Sequence, residues 1–533
     1  MPPRPTVVVL VALVVLVTGC SNTGSGGAPT GAASGPTEVD PALTGPAAST
    51  TPPVATPATA TSTSAPRPEP VRVRVECPDD FDDGIECSTV EMPADRAHPD
   101  DGSVVLPVAI APAIDPTASG SAIVIPVGGP GFAGLGLAHA YLDSPLREAH
   151  DIVAYDQRGT GLAEPSLECP ERDEAAIATL QAADPPPDER ARVASAMLEC
   201  RERLVDDGVD LDDYDTEASA ADLDDLRQVL GYDRWTILGM SYGARLALAT
   251  MRSFPDGVGS VVLDSVYDVT DGGLAATVTA AGRGIDNLVL ACASDPACAG
   301  RYPDLAGSID AVRSLYNAAP WRGEVQIDPA SPVRPFVITG DDIVGGLFQA
   351  LQDATLIPLL PSIIVALQAG DASVLPAFVE QSMPRIVDMA DAMFLAFECA
   401  DNAGVPGLAE RDAATVAADV AGGRFSTLVT LGYAPLCDEW DVPPTSPNFN
   451  EPVTADIPAL VLAGSFDPIT PPAGSEAAAA ALPGSTFAQF ADQGHGVTGG
   501  GACQDAMTLA FLADPAAQVD TSCAAAVPAP AWV

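Results

Sequence analysis

Trp235-Thr236-Ile237-Leu238-Gly239-Met240-Ser241-Tyr242-Gly243-Ala244-Arg245-Leu246 is the stretch on which the reading of this chain turns. Residues 235–238 form a short, apolar, β-rich run of the kind that makes a buried strand, and residues 244–249 read as the start of a helix. Ser241 therefore falls on a strand-to-helix turn, inside a G-x-S-x-G string. Glycines at 239 and 243 relieve crowding at a strained backbone position, so the hydroxyl can project past the sheet edge. The helix N-terminus brings backbone N–H groups to the same point, where they can meet a developing oxyanion. The pentapeptide alone is weak, because the chain has 47 glycines. Its place between strand and helix is what sets it apart from a serine in an ordinary turn.

Two later segments complete a triad. Ala459-Leu460-Val461-Leu462-Ala463 reads as a buried strand running into Gly464-Ser465-Phe466-Asp467-Pro468-Ile469-Thr470-Pro471, which puts Asp467 in a proline-bracketed loop. The strand-like Thr486-Phe487-Ala488-Gln489-Phe490 leads to Ala491-Asp492-Gln493-Gly494-His495-Gly496. Of the 4 histidines, His98, His139 and His150 precede the serine, and only His495 follows Asp467. Without it, Asp467 would read as a turn-forming Asp-Pro. Ser241, Asp467, His495 is the chain order of α/β-hydrolase triads. In that arrangement the acid fixes the imidazole tautomer while the histidine takes the serine proton. Tyr242, directly after the serine, supplies one oxyanion N–H. The loop Val127-Gly128-Gly129-Pro130-Gly131, after the strand-like Ala122-Ile123-Val124-Ile125, should supply the other. Pro130 has no N–H, which leaves Gly129 as the expected donor. The competing reading of that loop is a plain glycine-rich turn.

These motifs, together with Asp156-Gln157-Arg158-Gly159-Thr160-Gly161, resemble the proline-iminopeptidase-like branch of the α/β hydrolases, and within it the secreted tripeptidyl aminopeptidases of actinobacterial type. The resemblance runs from about residue 71 to the C-terminus. It implies an α/β-hydrolase fold with a mostly parallel sheet and an inserted, mainly helical cap. It also implies a serine peptidase that releases short peptides, tripeptides above all, from free N-termini and needs no cofactor. Two departures, Val127 where family members often carry His and Phe132-Ala133-Gly134 where a small polar run is usual, bear on substrate preference rather than on the triad. Arg158 reads as an ion-pairing brace. Phe397-Glu398-Cys399-Ala400-Asp401-Asn402 resembles the family stretch where acidic residues adjoin a cysteine, so Glu398 and Asp401 are candidate anchors for the substrate α-amine. With 72 acidic residues in the chain, solvated surface charge is the alternative.

The N-terminus reads as an export signal. Arg4 precedes an apolar stretch over residues 7–17, followed by Val17-Thr18-Gly19-Cys20, which resembles a bacterial lipoprotein signal with Cys20 as the acylated residue. A plain secretory signal is the alternative, and the stretch is too short to span a bilayer as a helix. Residues 21–70 are nearly all Ser, Thr, Gly, Ala and Pro and cannot bury enough apolar surface to fold, so they read as a tether. The expected location is the outer face of a bacterial cell membrane, held by the lipid. Of 11 cysteines, 10 remain once Cys20 is assigned, an even number that suits an oxidising compartment. Their spacing suggests neighbouring pairs: Cys77 with Cys87, Cys169 with Cys200, Cys292 with Cys298, Cys399 with Cys437, and Cys503 with Cys523. There is no Cys-x-x-Cys pair and there are few histidines, so no metal site is expected. A formal net charge of −48 argues against nucleic acid and anionic lipid surfaces as partners. Nothing in the sequence speaks to oligomeric state.

The expected organisation is a signal over residues 1–20, the tether over 21–70, hydrolase core over 71–267, a helical cap over 268–456, and the rest of the core over 457–533. Strands are expected at 71–75, 104–109, 123–125, 152–155, 235–238 and 258–263 before the cap. Those at Ala459 and Thr486 follow it, and a helix over 220–230 completes a strand-helix alternation. Two rival functions share the sequence. One is a carboxylesterase or lipase acting on envelope esters with the same triad. The other is a non-catalytic binding lipoprotein, which gives no reason for all three triad residues to persist in order.

Overall fold

Val258-Gly259-Ser260-Val261-Val262-Leu263 and Ala459-Leu460-Val461-Leu462-Ala463 are near-continuous apolar runs, the pattern of strands covered on both faces. A computed structural model describes residues 70–533, apart from 79–80, 82–83, 116, 118–121, 185, 271, 328–330, 409 and 415–435. The signal, Cys20 and nearly all of the tether lie outside the described residues. One nine-stranded sheet organises the rest, built from β1 (Val71–Arg74), β2 (Glu86–Pro93), β3 (Ser103–Ala111), β4 (Ala122–Val124), β5 (Asp151–Tyr155), β6 (Trp235–Met240), β7 (Val258–Asp264), β10 (Ala459–Gly464) and β11 (Thr486–Phe490). Their spatial order is β1-β2-β3-β5-β4-β6-β7-β10-β11. From β5 to β11 all neighbours run parallel, and β1, β2, β3 and β5 pair antiparallel at the other side.

The period of two decides the two faces. On β10, Ala459 and Val461 point into a core shared with Leu223, Leu226, Leu246 and Met251 of the helices Thr216–Leu230 and Tyr242–Ser253. Leu460 and Leu462 point the other way, onto Phe490 and onto Met507 and Phe511 of the helix Ala502–Ala513. Helix Thr216–Leu230 is capped by the Asp215 side chain, which accepts from the Ala218 N–H at 2.6 Å, and ends on Gly231 at φ 90°. All five neighbouring cysteine pairs are disulfides.

The insertion between β7 and β10 is mainly helical, as expected, and carries one antiparallel hairpin of β8 (Trp321–Val325) and β9 (Arg334–Ile338). Its apolar residues divide between two clusters. Residues of the helix Asp391–Asn402, and Leu436, Trp440, Phe449 and Val453, join the hydrolase core. The separate cap cluster gathers the helices Gly273–Ser294, Leu305–Ala318, Gly340–Ala350, Leu360–Gln368 and Leu375–Val387 around Phe336 and Ile338. Among the described residues no helix is long and apolar enough to cross a membrane.

Arg158 is the brace expected of it. Fully buried, it meets Asp222 through Nε at 2.7 Å and Nη2 at 2.8 Å, and Nη1 donates to the carbonyls of Ala94 and Asp213. Arg96 joins the same carboxylate at 2.6 Å. Removing the carboxylate strands a buried guanidinium, so Asp222→Ala should destabilise the fold by roughly 3–5 kcal/mol in urea unfolding. A loss within about 0.5 kcal/mol, ordinary for a surface substitution, would show the pair to be dispensable.

Candidate active site

β6 ends at Met240, and the chain turns straight into a helix through Ser241, whose backbone is left-handed at φ 60°, ψ −122°. The turn closes only with glycine at 239, since a Cβ there would stand 2.2 Å from the Gly243 carbonyl oxygen. Four backbone bonds hold it. The Ser241 N–H donates to the Asp264 carbonyl at 2.9 Å, and the Ser241 carbonyl accepts from Ala244 at 3.0 Å and from Arg245 and Tyr267, each at 3.3 Å.

Asp467 and His495 are in direct contact, Oδ2 to Nδ1 at 2.9 Å. The acid is locked by its own loop. Oδ1 accepts from the N–H groups of Ile469 (2.9 Å) and Thr470 (2.8 Å), and Oδ2 accepts from the Thr470 hydroxyl at 2.8 Å. Thr470 Oγ1 also lies 3.1 Å from His495 Nδ1, so the threonine spans acid and imidazole. That role was invisible in the sequence, where Thr470 looked like one more residue in a proline-bracketed loop. The His495 backbone N–H donates to the Gln352 carbonyl of the cap at 3.1 Å. Ser241, Asp467 and His495 all follow the C-terminal ends of parallel strands, β6, β10 and β11, at the same edge of the sheet. Gly496 packs against the elbow so closely that a Cβ would lie 2.6 Å from Met240 Sδ.

The glycine-rich loop after β4 lies beside the nucleophile: a Cβ on Gly128 would be 3.1 Å from Ser241 Cβ. Gly129 follows at φ 117°. Tyr242 opens the helix, where a first-turn N–H has no intrahelical acceptor. Two residues that open the Asp156-Gln157-Arg158 motif hold this loop. Gln157 Nε2 donates to the Val127 carbonyl at 2.9 Å, and Asp156 accepts from the N–H groups of Gly134, Leu135 and Leu162, each at 2.8 Å. Ala390 N–H bonds the Gly131 carbonyl at 2.9 Å, which straps the inserted segment onto the same loop.

The expected amine anchors are placed differently. Asp401 is 1 % exposed, with Oδ1 accepting from the Thr216 N–H at 3.2 Å, Oδ2 from the Thr216 hydroxyl at 2.6 Å, and Arg245 Nη1 at 3.6 Å. It is a buried support, and the amine-anchor expectation for it is corrected: both oxygens are committed and no surface is left for a substrate ammonium. Thr216 also meets the Tyr242 hydroxyl at 3.0 Å, so Asp401 props the residue after the nucleophile. Glu398 is 8 % exposed and accepts from the Tyr267 hydroxyl (2.7 and 3.0 Å) and Asn402 Nδ2 (2.8 Å). The Arg245 guanidinium stacks 4.0 Å from the Tyr267 ring centroid between the two carboxylates. Burial pushes the Asp401 carboxyl up to about 7 and raises Glu398 as well, against the pull of Arg245 on both.

Residues 121–290 match the family described as alpha/beta hydrolase fold, and residues 425–523 match that described as TAP-like protein. The chain has the α/β-hydrolase fold, and its C-terminal part is similar to TAP-like proteins. Serine protease Hip1 of Mycobacterium tuberculosis is 28 % identical over 457 residues, covering 80 % of this chain and 85 % of that protein. Tripeptidyl aminopeptidase of Streptomyces coelicolor is 27 % identical over 450 residues, 78 % of each. Carboxylesterase B of Mycobacterium tuberculosis is 27 % identical over 411 residues, covering 72 % and 76 %. This TAP-like chain is a serine hydrolase.

Two outcomes are expected. Asp467→Asn presents an amide where the imidazole needs an acceptor, so kcat on an activated ester should fall roughly 10,000-fold with the fold intact; a fall under about tenfold would place the acid elsewhere. The second concerns pH. A carboxyl whose folded pKa is raised holds a proton that the unfolded chain has released, so its stabilising effect is full below 3.8 and is lost as pH rises towards about 7. The urea midpoint should therefore decline between pH 4.5 and 7.5, less steeply in Asp401→Asn. A midpoint that rises over that range in the wild type would contradict the assignment.

Proposed function

We propose that this hydrolase is an exported serine peptidase that releases short peptides, tripeptides in the first instance, from free N-termini. The observation that carries the mechanism is the Asp467–His495 bond, 2.9 Å long, at the sheet edge where the Ser241 elbow stands. Ser241 attacks the scissile carbonyl while His495 takes its proton. The N–H groups of Gly129 and Tyr242 receive the oxyanion, and His495 then protonates the leaving amine. Water, activated by the same imidazole, releases the acyl peptide. The peptidase reading is supported by Serine protease Hip1 and Tripeptidyl aminopeptidase, each aligned over more than three quarters of this chain. Glu398, 8 % exposed against 1 % for Asp401, is the carboxylate proposed to receive the substrate α-amine, in exchange for the Tyr267 hydroxyl it now accepts from. Export with a lipid on Cys20 follows from the N-terminal signal, and five disulfides suit an oxidising compartment.

An esterase is the second reading, favoured by the alignment with Carboxylesterase B. Peptide pairs with free and acetylated N-termini, run beside p-nitrophenyl esters, separate the two. The peptidase reading expects cleavage of free N-termini only, loss of that activity in Glu398→Gln with ester hydrolysis kept, and no turnover of either substrate by Ser241→Ala. Ester turnover alone, with both peptide forms untouched, would favour the esterase.

A further inference from the structure

We infer that Asp264 and Ser265, at the end of β7, form the clasp that fixes the His495 loop against the nucleophile elbow. The inference rests on the proposed partnership of Ser241 with His495 and holds for peptide and ester substrates alike. β7 lies between β6, which carries the serine, and β10, which carries the acid. Its last residue is held on two sides: the Asp264 carbonyl accepts the Ser241 N–H at 2.9 Å, while Asp264 Oδ2 accepts from the N–H groups of Val497 (2.7 Å) and Thr498 (2.6 Å). One residue thus grips the nucleophile by its main chain and the histidine loop by its side chain.

Ser265 closes the arrangement. Its N–H donates to the Leu462 carbonyl of β10 at 2.9 Å, its Oγ accepts the Gly496 N–H at 3.0 Å, and the hydroxyl donates to Asp264 Oδ1 at 3.0 Å. Both residues are fully buried. Ser265 sits at φ 52°, a left-handed backbone where glycine is the unstrained choice. A non-glycine residue there gains nothing from the backbone; what it adds is the hydroxyl that holds the residue after His495. The three consecutive N–H groups following the imidazole, those of Gly496, Val497 and Thr498, are all taken by these two side chains. His495 itself is pinned by Asp467 at its ring and by Gln352 at its backbone. The clasp is what relates that pinned loop to Ser241. Asp264 and Ser265 are positioning residues: they reach the reaction only through the serine and the histidine.

The test uses Ser265→Gly, Ser265→Ala, Asp264→Asn and Asp264→Ala in the full-length protein. Each is assayed for kcat and KM on a p-nitrophenyl ester, for the rate of inactivation by a fluorophosphonate, and for thermal midpoint. Ser265→Gly relaxes the backbone but removes the hydroxyl. It should keep or raise the thermal midpoint while kcat and the inactivation rate fall together by roughly ten- to a hundredfold at unchanged KM. Asp264→Asn retains a side-chain carbonyl for Val497 and Thr498 and should keep more activity than Asp264→Ala. Wild-type kcat in Ser265→Gly, or losses that track the thermal midpoint across all four variants, would overturn the clasp. Ser241→Ala serves as the control on the underlying mechanism: if it is labelled as fast as the wild type, the Ser241 mechanism is withdrawn and the clasp with it.

Discussion

A serine forced to φ 60°, ψ −122° is the constraint around which this molecule is arranged. Such a backbone costs on the order of 1–3 kcal/mol and persists only where the surroundings leave no alternative. Here the alternatives are closed by Gly239 packed onto the Gly243 carbonyl, by the Asp264 carbonyl, and by the helix that starts at the next residue. The strain places the hydroxyl past the end of β6, beside the N-terminus of the helix, so the proposed nucleophile and one of its two proposed oxyanion donors arise from one turn.

Everything near that turn is tied to it through polar groups that carry few spare bonds. Asp401 and Thr216 prop the Tyr242 hydroxyl, Tyr267 links the Ser241 carbonyl to Glu398, and Arg245 fills the space between the two acids. The inserted cap is part of the same assembly. Gln352 holds the His495 backbone, Asn287 Nδ2 bonds the Ser465 carbonyl at 3.1 Å, and Phe466, next to the acid, packs in the cap core. A cap joined in this way to both the acid loop and the histidine loop cannot move far without moving the catalytic residues.

The parallel half of the sheet was legible because its strands, such as Leu460-Val461-Leu462, are buried on both faces and read as unbroken apolar runs. The proposed triad stood out because its members follow strand ends in a recognisable order. β2 escaped notice, since Glu86-Cys87-Ser88-Thr89 at the antiparallel side lacks such a run, and the polar Trp321-Arg322-Gly323-Glu324-Val325 gave no sign of a hairpin. In sequence Asp401 reads as a substrate ligand because its partner Thr216 lies 185 residues away, a pairing that local pattern cannot display. Asp156, Gln157, Asp264 and Thr470 were hidden for the same reason: what they do depends on donors brought to them by the fold.

The central claim is that Ser241, His495 and the two oxyanion donors converge on one reacting atom. The measurement that bears on it most directly is a crystal structure of the protein inactivated by a fluorophosphonate. The account predicts phosphorus bonded to Ser241 Oγ, a phosphoryl oxygen within hydrogen-bonding distance of the N–H groups of Gly129 and Tyr242, and His495 Nε2 beside the adduct. Phosphorus on another residue, or an imidazole turned away from Ser241 with its bond to Asp467 intact, would contradict it.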